Sequence, residues 1–226
     1  AGLVAAAIWA LWPNLVFHSA VVLTETLFLF LFVLLLIVVL GDPEAARAPG
    51  RARLITVGVL FGLVMLTRPV FIVAAPAFAI LWWRSGLRVL VGRLALVGLA
   101  ALVVMVPWAV RSTRAMDEPV ALSLNLGDNL CLGHNPGATG GFVDISAHCY
   151  TGEGSGLVRP EIETRRQSEN IDRAMTYARD NPGTTLRRTV SKARITLESD
   201  ADGLRVAEDF GVRPLVSDAS RDLLRG

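Results

Sequence analysis

"SAVVLTETLFLFLFVLLLIVVL", residues 19–40, decides what kind of chain this is. From Val16 to Leu40 the only titratable side chains are His18 and Glu25. At a helical rise of about 1.5 Å per residue such a run covers a hydrocarbon core of about 30 Å, so 15–40 reads as a transmembrane helix. A charged side chain near the bilayer middle costs roughly 2.5–3.5 kcal/mol to insert. Counted from Asn14, Glu25 lies about 15 Å along the helix, close to that middle. It is therefore expected to be paired inside a bundle or to line a polar cavity, with Thr24 and Thr26 beside it.

Upstream, "AGLVAAAIWALWPN" reads as the end of an earlier span, about 1–12, stopping at an aromatic, Pro-containing interface. The natural N-terminus is expected to lie further upstream, and no basic n-region with a cleavage site marks a signal peptide. Downstream, Arg47, Arg51 and Arg53 occupy one polar loop and Arg84, Arg88 and Arg93 the next. The positive-inside rule makes both loops cytoplasmic. Residues 54–83 must then leave and return, turning at "LTRPV", where Pro69 breaks the helix. Each arm has only about 14 or 15 residues, short for a span, which suits a hairpin buried in protein. The alternative is one tilted helix kinked at Pro69, which would reverse the side on which everything downstream lies. The charge rule favours the hairpin. A further span, 87–108, ends in "VPWAVRS", where Trp108 and Arg111 form an interfacial anchor.

Hydrophobic residues make up 53% of the 226 and crowd into the first half, so the chain is membrane-like at one end only. Residues 111–226 hold no run apolar enough to span a bilayer and are expected to be an extracytoplasmic loop and helical segment. Within it, residues 123–156 form a Gly/Asn-rich loop. Ile171, Ala174, Met175 and Ala178 then keep helical spacing after Pro160, "DNPG" at 180–183 is a stop, and a second amphipathic helix follows with Leu186, Val190 and Leu197 on one face. A net charge of +2 without a long basic patch argues against nucleic acid as a partner.

Arg68 is the natural counter-charge for Glu25, and its guanidinium also suits a phosphate. Arg111 reads either as an interfacial anchor or as a further ligand for an anionic headgroup. Cys131 and Cys149 are the only cysteines, and in an oxidising compartment they would close one disulfide. With His134 and His148 they make a looser zinc-like set whose spacing fits no standard pattern. No phosphate-binding loop, H-E-x-x-H pattern or serine-histidine-acid signature is present.

Four stretches in order, "SAVVLTETLFLF", "GVLFGLVMLTRPVF", "VPWAVRS" and "LSLNLGDNLCLGHNPGATGGF", resemble the membrane-embedded GT-C glycosyltransferases. The branch is that of protein O-mannosyltransferases and the aminoarabinose transferase of lipid A, and the resemblance covers about residues 9–145. It implies an all-α polytopic membrane protein, a GT-C-like helix bundle, carrying a mainly helical and loop extracytoplasmic segment. It implies transfer of a sugar from a polyprenyl-phosphate carrier to an acceptor outside the membrane, by an inverting displacement. The partners implied are a polyprenyl-phosphate-linked sugar and membrane lipids; no cofactor is certain, and a divalent metal is left open. In that family the catalytic carboxylate lies in the first external loop, which this chain does not contain. The chain is thus expected to be a fragment, inactive alone, with no catalytic residue of its own. By position Glu25 matches the family's "TE", Arg68 its "TRP" arginine, and Asn125, Asn129 and Asn135 its Asn-rich loop, although His134 stands where Asn is expected. These five, with Arg111, are the expected substrate-binding residues.

Two other classes fit the same features. A transporter or lipid flippase also keeps ions and broken helices inside the membrane. A non-catalytic membrane scaffold would use the polar half only to hold a partner.

Overall fold

The computed structural model describes residues 2–19, 24–120, 122–140, 146–149 and 160–198. Residues 20–23 of the expected 15–40 span, residue 121, parts of the expected loop (141–145 and 150–156), 157–159, and everything beyond 198 lie outside the described residues. In chain order the helices are α1 (Gly2–Leu11), α2 (Pro13–Ser19), α3 (Thr24–Leu40), α4 (Pro43–Arg47), α5 (Arg51–Thr67), α6 (Ala75–Trp82), α7 (Leu87–Met116), α8 (Leu126–Gly133), α9 (Ser146–Cys149), α10 (Pro160–Asp180) and α11 (Pro182–Glu198). Short 3₁₀ stretches, Pro69–Ala74 and Trp83–Ser85, flank α6. The fold is all-α, with no strand among the described residues.

Contacts divide the chain into two compact units. One runs from Leu23 to Ser123, and the other comprises the described parts of Ala1–Val22 and Leu124–Gly226. Helix α7 continues past the expected 110/111 boundary to Met116, and the chain then folds back onto it. Trp108 Nε1 donates to the Leu122 carbonyl at 3.2 Å, while the Thr113 hydroxyl donates to the Val120 carbonyl and accepts from its N–H.

In the Leu23–Ser123 unit α3 and α5 run antiparallel. Arg53 Nε, at the start of α5, donates to the Val38 carbonyl near the end of α3 (2.6 Å). At the other end Arg68 pairs with Glu25. After Pro69 the chain doubles back along α5. Phe71 and Phe78 both pack on Phe61, and Trp82 Nε1 reaches the Ala46 carbonyl at 3.0 Å. The segment 54–83 is therefore a hairpin, not one kinked rod. Proline is the local cause: Pro69 has no N–H to continue the α5 ladder, so the helix closes at Thr67 and restarts as a 3₁₀ turn.

Helix α7 then runs parallel to α5, in intimate contact through glycine. A Cβ at Gly58 would meet the Val97 carbonyl and the Ala100 Cβ, and one at Gly62 would meet the backbone of Ala101. Gly58 and Gly62 stand four apart on one face, the small-residue spacing that lets helix backbones approach closely. The core sits among these elements: Leu35, Val57, Phe61, Val64, Met65, Phe78 and Trp82 are buried, with Phe28, Phe32 and Phe71 continuing the aromatic series. Outside that core the unit is strongly apolar: Phe30 and Ile37 on α3, Val73 and Ile80 on the return arm, and Leu99, Leu102 and Val103 on α7 are all exposed.

Helix α7 has 30 residues and is, among the described residues, the one helix long and apolar enough to cross a membrane. Only 17% of its most apolar window is buried, unlike the core helix of a soluble protein. The expected 87–108 span is thus eight residues longer at its C-terminal end, finishing at Met116. Of the expected 15–40 span, the described residues are helical within Pro13–Ser19 (α2) and Thr24–Leu40 (α3).

In the other unit α8 packs on α10, with Gly127 directly against the backbone of Gln167. Asn170, fully buried, donates to Asp128 Oδ1 (2.8 Å), and Arg166 pairs with Asp128 Oδ2 (3.4 Å). Helix α10 ends at Asp180 and α11 opens on Pro182, as the "DNPG" stop predicts. Helix α11 carries the expected apolar face, but that face is open. Leu186, Val190 and Leu197 are exposed, at 68%, 64% and 87%. Polar residues of α11 make the contacts instead: Arg188 donates to the Asn135 and Pro136 carbonyls, and Lys192 lies against Gly133.

Candidate functional site

The structure brings two of the expected site residues together. Arg68, where α5 ends, donates to the carboxylate of Glu25, which lies in the first turn of α3. Thr24 Oγ1 donates to the other carboxylate oxygen at 3.4 Å. The two ionic side chains are 41% and 35% exposed, so the pair sits at a partly open end of the unit. Glu25 lies on the described part of α3, about 25 Å from Asp42, which follows the other end of that helix. The register set by Gly58 and Gly62 against α7, carried on to the end of α5, puts Arg68 level with Pro107 and Trp108.

The opposite end of the unit is basic. Arg93 Nη1 donates both to the Arg47 carbonyl (3.0 Å) and to the Ser85 hydroxyl (2.7 Å), joining the two arginine-bearing loops. Asp42 caps α4 and approaches Arg53 at 3.9 Å. Arg51, Arg84 and Arg88 are exposed there. Sequence reading grouped these arginines by loop, but the hydrogen bond that ties the loops has no signature in the sequence.

Arg111 stacks over the Trp108 ring at 5.2 Å and is exposed, an arrangement that fits an interfacial anchor. The three asparagines belong to the other unit. Asn125 occupies the N-cap position of α8 without a side-chain cap bond, and Asn129 is exposed one turn on. Asn135 is buried, at 4% exposure, and fixes its own turn. Its amide nitrogen donates to the Cys131 and Leu132 carbonyls (2.8 and 3.3 Å), and its amide oxygen accepts from the Gly137 N–H (2.7 Å). With both amide hydrogens engaged, Asn135 shapes the loop instead of offering donors to a ligand.

Cys131 and Cys149 are joined in a disulfide, with Cα atoms 6.0 Å apart. That removes both thiolates from the zinc-like set, and no cluster of metal-ligating side chains exists among the described residues. Arg188 clamps the same turn and stacks over Tyr177 at 5.3 Å. On the exposed face of α10 a hydrogen bond from Arg165 holds the Glu169 carboxyl below its usual range, opposed by desolvation and aided by the charges of Arg165 and Arg173.

No family model, curated protein or solved structure matches this chain.

Proposed function

We propose that the chain forms part of a multi-pass membrane glycosyltransferase that takes a sugar from a polyprenyl-phosphate carrier and passes it to an extracytoplasmic acceptor. On this reading α3, the α5–α6 hairpin and α7 lie in the bilayer, with the arginine-joined end in the cytoplasm and the Glu25–Arg68 end outside. The observation that carries it is Arg68: a guanidinium held at the end of α5, a helix length from the basic end and level with Trp108. A cation there suits a lipid phosphate at the outer headgroup level. Glu25 orients Arg68 and holds its charge in place until a phosphate competes for it.

Two further features support the reading. The many exposed apolar side chains of the Leu23–Ser123 unit, on α3, the return arm and α7, suit lipid. The disulfide suits an oxidising compartment, which is where the segment after α7 would then lie. No catalytic carboxylate is assigned to this chain, and the acceptor's deprotonation is left to a base elsewhere in the complete protein.

The test is transfer from a polyprenyl-phosphate sugar by the complete protein carrying Arg68→Leu or Glu25→Leu. Loss of the phosphate contact should raise KM for the donor by about tenfold or more for Arg68→Leu. Unchanged transfer in both variants would remove the phosphate role.

A further inference from the structure

A cavity of about 480 Å³ lies in the disulfide-bonded unit, between α10 and the turn that follows α8. That is within the size of small-ligand sites, about 300–1,000 Å³. One wall is a single face of α10, on which Asp172, Thr176 and Asp180 recur at i, i+4 and i+8. Their side-chain oxygens have no partner among the described residues. The facing wall carries His134 and His148.

The cavity is held by several independent constraints. The Cys131–Cys149 bond fixes α9, and with it His148, beside α8. The His148 imidazole lies so close to Gly137 that a Cβ there would stand 2.6 Å from Nε2. Asn135 and Arg188 lock the intervening turn, and Arg188 also covers Tyr177, a further lining residue. His134 Nδ1 lies 3.0 Å from the Leu130 carbonyl, which can only accept, so Nδ1 carries the hydrogen and Nε2 of the neutral ring is an acceptor.

The lining thus mixes strong acceptors with strong donors. Two carboxylates and an imidazole nitrogen accept, while Arg173, steadied by Glu169 at 3.4 Å, and the Thr176 hydroxyl donate. Two carboxylates disfavour a simple anion, and Arg173 disfavours a simple cation. A hydroxyl group both donates and accepts, and an array of hydroxyls satisfies every group in the wall. We propose that this cavity binds a carbohydrate, the polyhydroxyl portion of a glycan. Naming that glycan the acceptor rests on the glycosyl-transfer reading; the binding does not.

The full chain in lipid nanodiscs is titrated with neutral gluco-, manno-, galacto- and arabino-configured trisaccharides, followed by calorimetry and saturation-transfer NMR. At least one should bind, and Asp172→Ala with Asp180→Ala should weaken it by about tenfold or more, as expected for lost hydrogen bonds to charged groups. Intact disulfide and helicity show that the variant is folded, and Thr176→Val, expected to weaken binding by several-fold, serves if it is not. Absence of binding by every trisaccharide, equal binding by the folded variants, or binding of spermidine in place of sugars would overturn the proposal. No donor is present, so a chain that binds the trisaccharide but belongs to a protein without transferase activity defeats the transfer reading alone. Transfer without trisaccharide binding defeats the cavity alone.

Discussion

Gly58→Ala in α5 isolates the contact that sets the height of Arg68. The added methyl group would stand 2.6 Å from the Ala100 Cβ and strike the Val97 carbonyl, both on α7. Carbon atoms rest at about 3.5–4.0 Å, so the helices must part by about 1 Å. Overpacking of this kind costs about 1–3 kcal/mol. Against it stands the better helix propensity of alanine, about 1 kcal/mol. Gly98→Ala on α7 supplies the control, because a Cβ there meets nothing within 4 Å. Propensity cancels between the two variants, and the packing difference of about 1–3 kcal/mol remains. Denaturant unfolding in mixed micelles, monitored by helicity, measures it. A Gly58→Ala protein as stable as Gly98→Ala would refute the parallel α5–α7 contact, and with it the level assigned to Arg68.

Replacing Cys131 and Cys149 by serine should cost the polar unit about 3 kcal/mol, from a closed loop of 18 residues, read as lost amide-exchange protection across α8 and α10. Arg188→Met should free the 135–137 turn by about 1.5–3 kcal/mol, through the carbonyl contacts and the Tyr177 stack, seen as faster exchange of the Gly137 and Ala138 amides. The Glu169 carboxyl has a lowered pKa in the fold, so its support for α10 is present above the ordinary carboxylate range and disappears as pH falls through its own lower value. Carboxyl NMR should show that low titration, and Glu169→Gln should abolish the associated pH dependence of α10 helicity.

The sequence was most informative where a single residue forces the backbone. Pro69 and Pro182 mark real breaks, and the two cysteines were too few for any pairing but one. Charge spacing indicated that both arginine loops share an end, because the positive-inside rule depends on composition alone. The Glu25–Arg68 pair was legible as two opposite charges in apolar surroundings, though not which ends of α3 and α5 it joins. The apolar stripe of α11 was legible as a face but its exposure was not, since periodicity identifies a face but not which face the neighbours take, and Arg188 and Lys192 took the opposite one. The sugar-sized cavity was hidden because its walls come from segments some 40 residues apart, although the Asp172–Thr176–Asp180 spacing was visible.

The arm that returns from Pro69 to Ser85 contains only eight α-helical residues, yet it reaches the base of α5. A 3₁₀ turn advances about 2.0 Å per residue against about 1.5 Å for an α-helix. Nine of its seventeen residues take the steeper winding, which lengthens the arm by about 4–5 Å to about 30 Å. Tightening the coil thus gives a segment too short as an ordinary helix the reach of a full crossing.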